Sequence, residues 1–92
     1  TQEEAKEMMD SQEVIILDVR EQDEYDSGHI PGAVLLPVGS IDETTAAEVI
    51  PDKDSTVLVY CRSGNRSKTA SSALAELGYT NIYEFGGIST WP

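Results

Sequence analysis

Cys61, the only cysteine in the 92 residues, ends an apolar run and opens the stretch Cys61-Arg62-Ser63-Gly64-Asn65-Arg66-Ser67. Upstream of it, Val57-Leu58-Val59-Tyr60 is a short β-branched and aromatic run bounded by turn residues, the pattern of a strand buried on both faces. Downstream, Ala70, Ala73, Leu74 and Leu77 fall at i, i+3, i+4 and i+7, the core-facing stripe of an amphipathic helix. A strand, a loop and a helix in that order aim backbone N–H groups and the positive end of the helix dipole at one small volume. That makes an anion cradle, with Cys61 at its mouth. A cysteine at a helix N-terminus near arginines has its pKa lowered into the range of about 3.5–7.5, so Cys61 is expected to be a thiolate near neutral pH. The chemistry to expect is nucleophilic attack without a general base, with the loop N–H groups of Arg62 to Ser67 stabilising developing negative charge.

Composition narrows the partners. Seventeen acidic and six basic residues give a formal charge of −11, which argues against nucleic acid or an anionic membrane surface as the partner. Arg62, Arg66 and Lys68, half of the basic residues, lie together at the cysteine loop. A local positive site on an acidic body suits a small anion, although a few solvated loop charges would look the same in sequence. One cysteine cannot close an internal disulfide, and with one histidine and no Cys-x-x-Cys pair there is no metal site and no cofactor to propose. No apolar stretch approaches the roughly 18 residues of a membrane span, and no signal peptide is visible. A free thiol favours the reducing cytoplasm, with export left open because the sequence begins at Thr1 rather than Met.

The elements that must position the cysteine follow in chain order. Thr1 with Glu4 fits a capping box, and Ala5, Met8 and Met9 make a short stripe, which predicts a helix over residues 2–11. Val14-Ile15-Ile16-Leu17 reads as a buried strand running into Asp18-Val19-Arg20. Asp18 and Arg20 are expected to be structural, an ion pair anchoring the strand end. The acidic run from Glu21 to Asp26 holds a short helical turn around Tyr25. Gly28-His29-Ile30-Pro31-Gly32-Ala33 is a fixed turn leading to a strand over residues 34–36, closed by Pro37, and His29 is expected to hydrogen-bond within that turn. A helix over residues 42–50, the central strand and the cysteine helix follow, the last stopped by Gly78. Ile82 to Phe85 is the final strand, after which Gly86-Gly87 should turn the chain towards Trp91. Gly64, Gly86 and Gly87 are expected to adopt backbone shapes closed to other residues. Strands alternating with helices predict one α/β domain, a small, mostly parallel β-sheet flanked by helices on both faces, with ligands bound beyond the carboxyl ends of the strands.

With those residues placed, the chain resembles a single-domain rhodanese, a sulfurtransferase-type module, over residues 1–92. Four blocks in order carry the resemblance: Leu17-Asp18-Val19-Arg20; Glu24-Tyr25 with Gly28-His29-Ile30-Pro31-Gly32-Ala33; Cys61 to Ser67; and Gly86-Gly87 with Trp91. The resemblance implies a two-step exchange. Cys61 takes the outer sulfur of thiosulfate or a similar donor as a persulfide, and a thiophilic acceptor such as cyanide, a thiol or an acceptor protein removes it. The resemblance, with a basic loop, implies thiosulfate rather than mercaptopyruvate. Family domains commonly begin with a short strand ahead of the first helix, so residues 1–92 are expected to be a domain trimmed at its N-terminus.

Two other readings stay open. A cysteine-based phosphatase or arsenate reductase also seats a thiolate in an anion-cradling loop, but Cys-x5-Arg would need arginine at position 67, which is Ser67; Arg66 comes one place early. A non-catalytic regulatory or protein-binding module of the same family is the other, and retention of Cys61 argues against it.

Overall fold

Four short apolar runs lie side by side and point the same way in the structure, a computed structural model that describes residues 2–90. Thr1, expected to cap the first helix, and Trp91 lie outside the described residues. The elements are α1 (Gln2–Ser11), β1 (Ile15–Asp18), α2 (Gln22–Ser27), β2 (Val34–Leu35), a 3-10 turn at Val38–Ser40, α3 (Glu43–Val49), β3 (Thr56–Cys61), α4 (Asn65–Glu76) and β4 (Asn81–Gly87), followed by a 3-10 turn at Ile88–Thr90. The strand order is β2-β1-β3-β4 and every neighbouring pair is parallel, as the alternation of strands and helices requires.

The two faces of the sheet are covered by different helices because side chains alternate along each strand. Leu17, Val19, Val57, Val59 and Cys61 point to one face and pack with Ala46 and Ile50 from the α3 segment and Ala70 and Leu74 from α4. Leu58, Tyr60 and Phe85 point to the other and pack with Ala5, Ile30 and Ala33, flanked by Met8, Met9 and Tyr25. β3 lies between β1 and β4 and is buried from Val57 to Cys61, which explains its continuous apolar run. Each fully buried Leu or Val here stabilises the fold by roughly 1.5–3 kcal/mol relative to an exposed one.

Several strand ends differ from the sequence expectation, β1 running Ile15–Asp18 rather than 14–17 and β3 Thr56–Cys61 rather than 57–60. Leu36 is buried but lies outside the paired strand, since the chain is already turning into Pro37. β4 does not stop at Phe85: Gly86 and Gly87 belong to it, with Val59 facing Glu84 and Cys61 facing Gly87. β4 therefore carries one extra residue over that interval, a bulge that bends the strand under the cysteine loop.

Candidate active site

The end of β3 and the start of α4 are separated only by Arg62, Ser63 and Gly64. Cys61 is the last residue of β3, so its Sγ sits directly below the first turn of the helix. The Gly64 N–H donates to Sγ at 3.0 Å, and the Ser67 hydroxyl lies 3.6 Å from it. Burial pushes the Cys61 thiol up, but hydrogen bonds from the Ser67 hydroxyl and from the backbone N–H groups of Ser67, Gly64 and Ser63 outweigh it, and the net displacement is downward. Contrary to the expectation of a cysteine at the mouth of the cradle, the side chain is 1% exposed and lies at its floor. Depth alone would describe an inert core thiol; the ring of donors distinguishes it.

Two glycines hold the loop in this shape for different reasons. Gly64 caps α4 with φ 106° and ψ −14°, a left-handed conformation that turns its N–H onto the sulfur. Gly86 also has a positive φ, but Gly87 does not, so its expected conformational role is corrected. Gly87 is required by close approach: a Cβ there would overlap the Arg62 carbonyl and come within 2.7 Å of Ser63 Cα. The Arg62 carbonyl also accepts from the Ser89 N–H at 3.2 Å and the Ser89 hydroxyl at 2.9 Å. The bulged end of β4 is thus the bed on which the loop rests.

The remaining loop side chains divide by exposure. Arg62, Ser63 and Asn65 are exposed, as is Lys68, while Ser67 is buried. Arg66 is half-buried and engaged by Glu24 of α2, Nη1 to Oε1 at 2.6 Å and Nη2 to Oε2 at 2.9 Å. The Arg66 hydrogen bond first, and the Glu21 N–H second, hold the Glu24 carboxyl well below its ordinary range, at about 2.

Asp18, Arg20 and His29 are not brought to the cysteine. Asp18 lies on the sheet face opposite Cys61, level with Tyr60. The expected ion pair is present: Arg20 Nε and Nη2 donate to the Asp18 carboxylate at 3.0 and 2.8 Å. Arg20 also reaches the Gly28 carbonyl, and the Tyr60 hydroxyl donates to Asp18 Oδ2 at 2.7 Å while accepting from the Ile30 N–H at 3.1 Å. Burial and the Asp18 hydrogen bond push the Tyr60 phenol up, against the Ile30 N–H, which lowers it. The His29 ring stacks on Tyr25 at 3.7 Å, and its Nδ1 lies 2.9 Å from the Tyr25 carbonyl, so its partner is in α2 and not, as expected, within its own turn.

Sequence reading missed Glu24 as the partner of Arg66, Ser89 as the clamp on Arg62, and Glu84. Glu84 Oε1 accepts from the Ser67 hydroxyl at 2.7 Å and from the Gly86 N–H at 2.8 Å. Strand parity could have found it, because Glu84 is two residues from Ile82, which packs in the Cys61 face of the core. Glu24 and Arg66 are 42 positions apart and carry no local signal. Among the described residues no group of His, Cys, Asp and Glu is placed to hold a metal ion, and no helix is long and apolar enough to cross a membrane.

A thiol beneath a ring of backbone donors, at the carboxyl edge of a parallel sheet, defines a class of α/β domain built to present a cysteine to an anion. Within it, the chain belongs to the rhodanese-like domain family, which matches residues 1–92. It is 40% identical over 72 residues to thiosulfate sulfurtransferase PspE of Escherichia coli, covering 78% of this chain and 68% of that protein. Thiosulfate sulfurtransferase GlpE of Coxiella burnetii is 36% identical over 89 residues, 96% of this chain and 80% of that one. A solved structure described as a rhodanese with anions from E. coli superposes with a TM-score of 0.79 at 34% identity, over 87% of this chain and 95% of that one.

Proposed function

We propose that this chain is a thiosulfate sulfurtransferase that carries sulfur as a persulfide on Cys61. The Cys61 thiolate attacks the outer sulfur of thiosulfate; the sulfur–sulfur bond of the donor breaks, and sulfite leaves with the electron pair. Cyanide or a thiol then attacks the outer sulfur of the persulfide, and the electron pair of that bond returns to Cys61 as thiolate. The observation that carries the reading is the Gly64 N–H at 3.0 Å from Sγ, at the start of α4, because a donor so placed favours sulfur in its anionic form at both ends of the cycle. The sulfurtransferase names of the relatives support it.

Residues 1–92 act in this proposal as one rhodanese-like domain, with a small anionic donor and a small thiophile or the thiol of an acceptor protein as its partners. A cysteine that must stay reduced between turnovers fits a reducing compartment such as the cytoplasm. The phosphatase reading is weakened by Arg66, which stands in the first turn of α4 and is held by Glu24. The test is intact mass after incubation with thiosulfate: a gain of one sulfur, reversed by cyanide and absent in Cys61→Ser, is expected. A protein that stays unmodified while Cys61 remains alkylatable would refute the proposal.

A further inference from the structure

The Ser67 hydroxyl has one proton and more acceptors than it can serve. Glu84 Oε1 is 2.7 Å away, the Gly64 carbonyl 2.9 Å and the Gly86 carbonyl 3.4 Å, while Cys61 Sγ, 3.6 Å away, donates to the Ser67 oxygen as a thiol and becomes a further acceptor as a thiolate. The shortest contact is to the carboxylate, an ionised acceptor, and charge-assisted hydrogen bonds are about twice as strong as neutral ones. The carboxylate is itself fixed by the Gly86 N–H at the β4 bulge. Glu84 is half-buried on the core-facing side of its strand, beside the only cysteine, and has no part in the proposed sulfur transfer as described above.

We propose that Glu84 is a positioning residue: its carboxylate competes with the Cys61 sulfur for the single Ser67 proton, and so governs how strongly that hydroxyl supports a sulfur anion. The inference rests on the proposed persulfide cycle for its purpose, not for its geometry. While Cys61 carries a persulfide its inner sulfur is uncharged, and the Ser67 proton stays on the Glu84 side. When a thiophile removes the outer sulfur, the returning electron pair makes Sγ anionic, and the hydroxyl turns from Glu84 to the sulfur. The proton never leaves Ser67; only its acceptor changes. The other charge facing Cys61 is Arg66 on α4, with Glu24 and Glu21 on its far side, and that set is untouched by changes at position 84.

Because Cys61 is the only cysteine, the pH profile of its alkylation by iodoacetamide reports on this thiol alone. Glu84→Gln keeps an acceptor for the Gly86 N–H but removes the charge, and it is expected to lower the alkylation midpoint by about one pH unit. Ser67→Ala should raise the midpoint by about half a unit in the native protein and by about one unit in the Glu84→Gln background, since there the proton no longer has to leave a carboxylate to reach the sulfur. An unchanged or raised midpoint in Glu84→Gln, or the same Ser67→Ala shift in both backgrounds, overturns the proposal. Ser67→Ala in the native protein decides it even if Glu84→Gln does not fold: a rise of a full unit there means the proton already belongs to sulfur. Alkylation needs no sulfur donor, so failure of thiosulfate to load Cys61 leaves this result readable on its own.

Discussion

Arg66 and Glu24 form a two-point ion pair, at 2.6 and 2.9 Å, that ties the cysteine helix α4 to the short acidic helix α2. The arginine that the sequence offers to an anion is therefore already paired before any donor arrives. Glu24→Gln should lower the KM for thiosulfate by freeing the guanidinium, while Arg66→Ala should raise it about tenfold, the scale of one charge-assisted hydrogen bond. Steady-state assays with cyanide as acceptor measure both, and unchanged KM values in the pair of variants would move Arg66 to a purely structural role.

The same pair sets a pH window for stability. The Glu24 carboxyl titrates at about 2 in the folded chain against an ordinary 4.5, so its contribution is fully present above 4.5 and is lost as pH falls towards 2. Both side chains are partly solvated, which limits the contribution to on the order of 1 kcal/mol. Urea unfolding of the native protein and Glu24→Gln should differ by that amount at pH 7 and converge near pH 2. A gap that widens in acid would contradict the assignment.

Gly87 is expected to tolerate no side chain. In Gly87→Ala the new methyl meets the Arg62 carbonyl, and the loop must lift from β4, carrying the Gly64 N–H away from Sγ. The variant should lose thiosulfate-dependent mass gain and show a raised alkylation midpoint, whereas Gly39→Ala, in open space with an ordinary φ, should change neither. Normal persulfide formation in Gly87→Ala would mean the loop is not held from below.

Loop length should choose the anion. Inserting one glycine between Ser63 and Gly64 leaves α4 starting at Asn65 but moves Arg66 to the Cys-x5-Arg spacing and widens the ring of donors. The insertion is expected to abolish persulfide formation and to let vanadate protect Cys61 from alkylation, which it should do poorly in the native protein. Equal protection in the two would return the phosphatase reading to contention.

Local signals explain which parts of this architecture could be read from residues alone. The stripe from Ala70 to Leu77 and the run from Val57 to Tyr60 placed α4 and β3, because periodicity depends only on neighbours along the chain. The parallel sheet followed from alternation of strands and helices. What the residues did not disclose is where separate elements meet. Arg66 looked free because Glu24 reaches it only through the fold, and Cys61 looked exposed because its polar neighbours lie above it. Asp18 ends a strand as Cys61 does, yet parity turns it to the opposite face, where it makes the structural ion pair expected of it. The bulge in β4 was hidden for the same reason: it is a mismatch between two strands, and neither sequence alone contains it.

Tyr60, whose hydroxyl joins Asp18 to the Ile30 N–H, has a consequence for the order in which the chain assembles. Its partners lie 42 and 30 positions away, so the bridge exists only after β1 and β3 have paired and the turn after α2 has docked. The Ile30 amide should therefore resist hydrogen exchange as strongly as the central strand, opening only with global unfolding, although it belongs to a turn. Tyr60→Phe strands that amide and removes a donor to the buried carboxylate, costing about 1–3 kcal/mol, and should let Ile30 exchange by local opening while the amides of β3 stay protected. Such a closing contact is long in sequence and late in time, so its loss should speed unfolding far more than it slows folding.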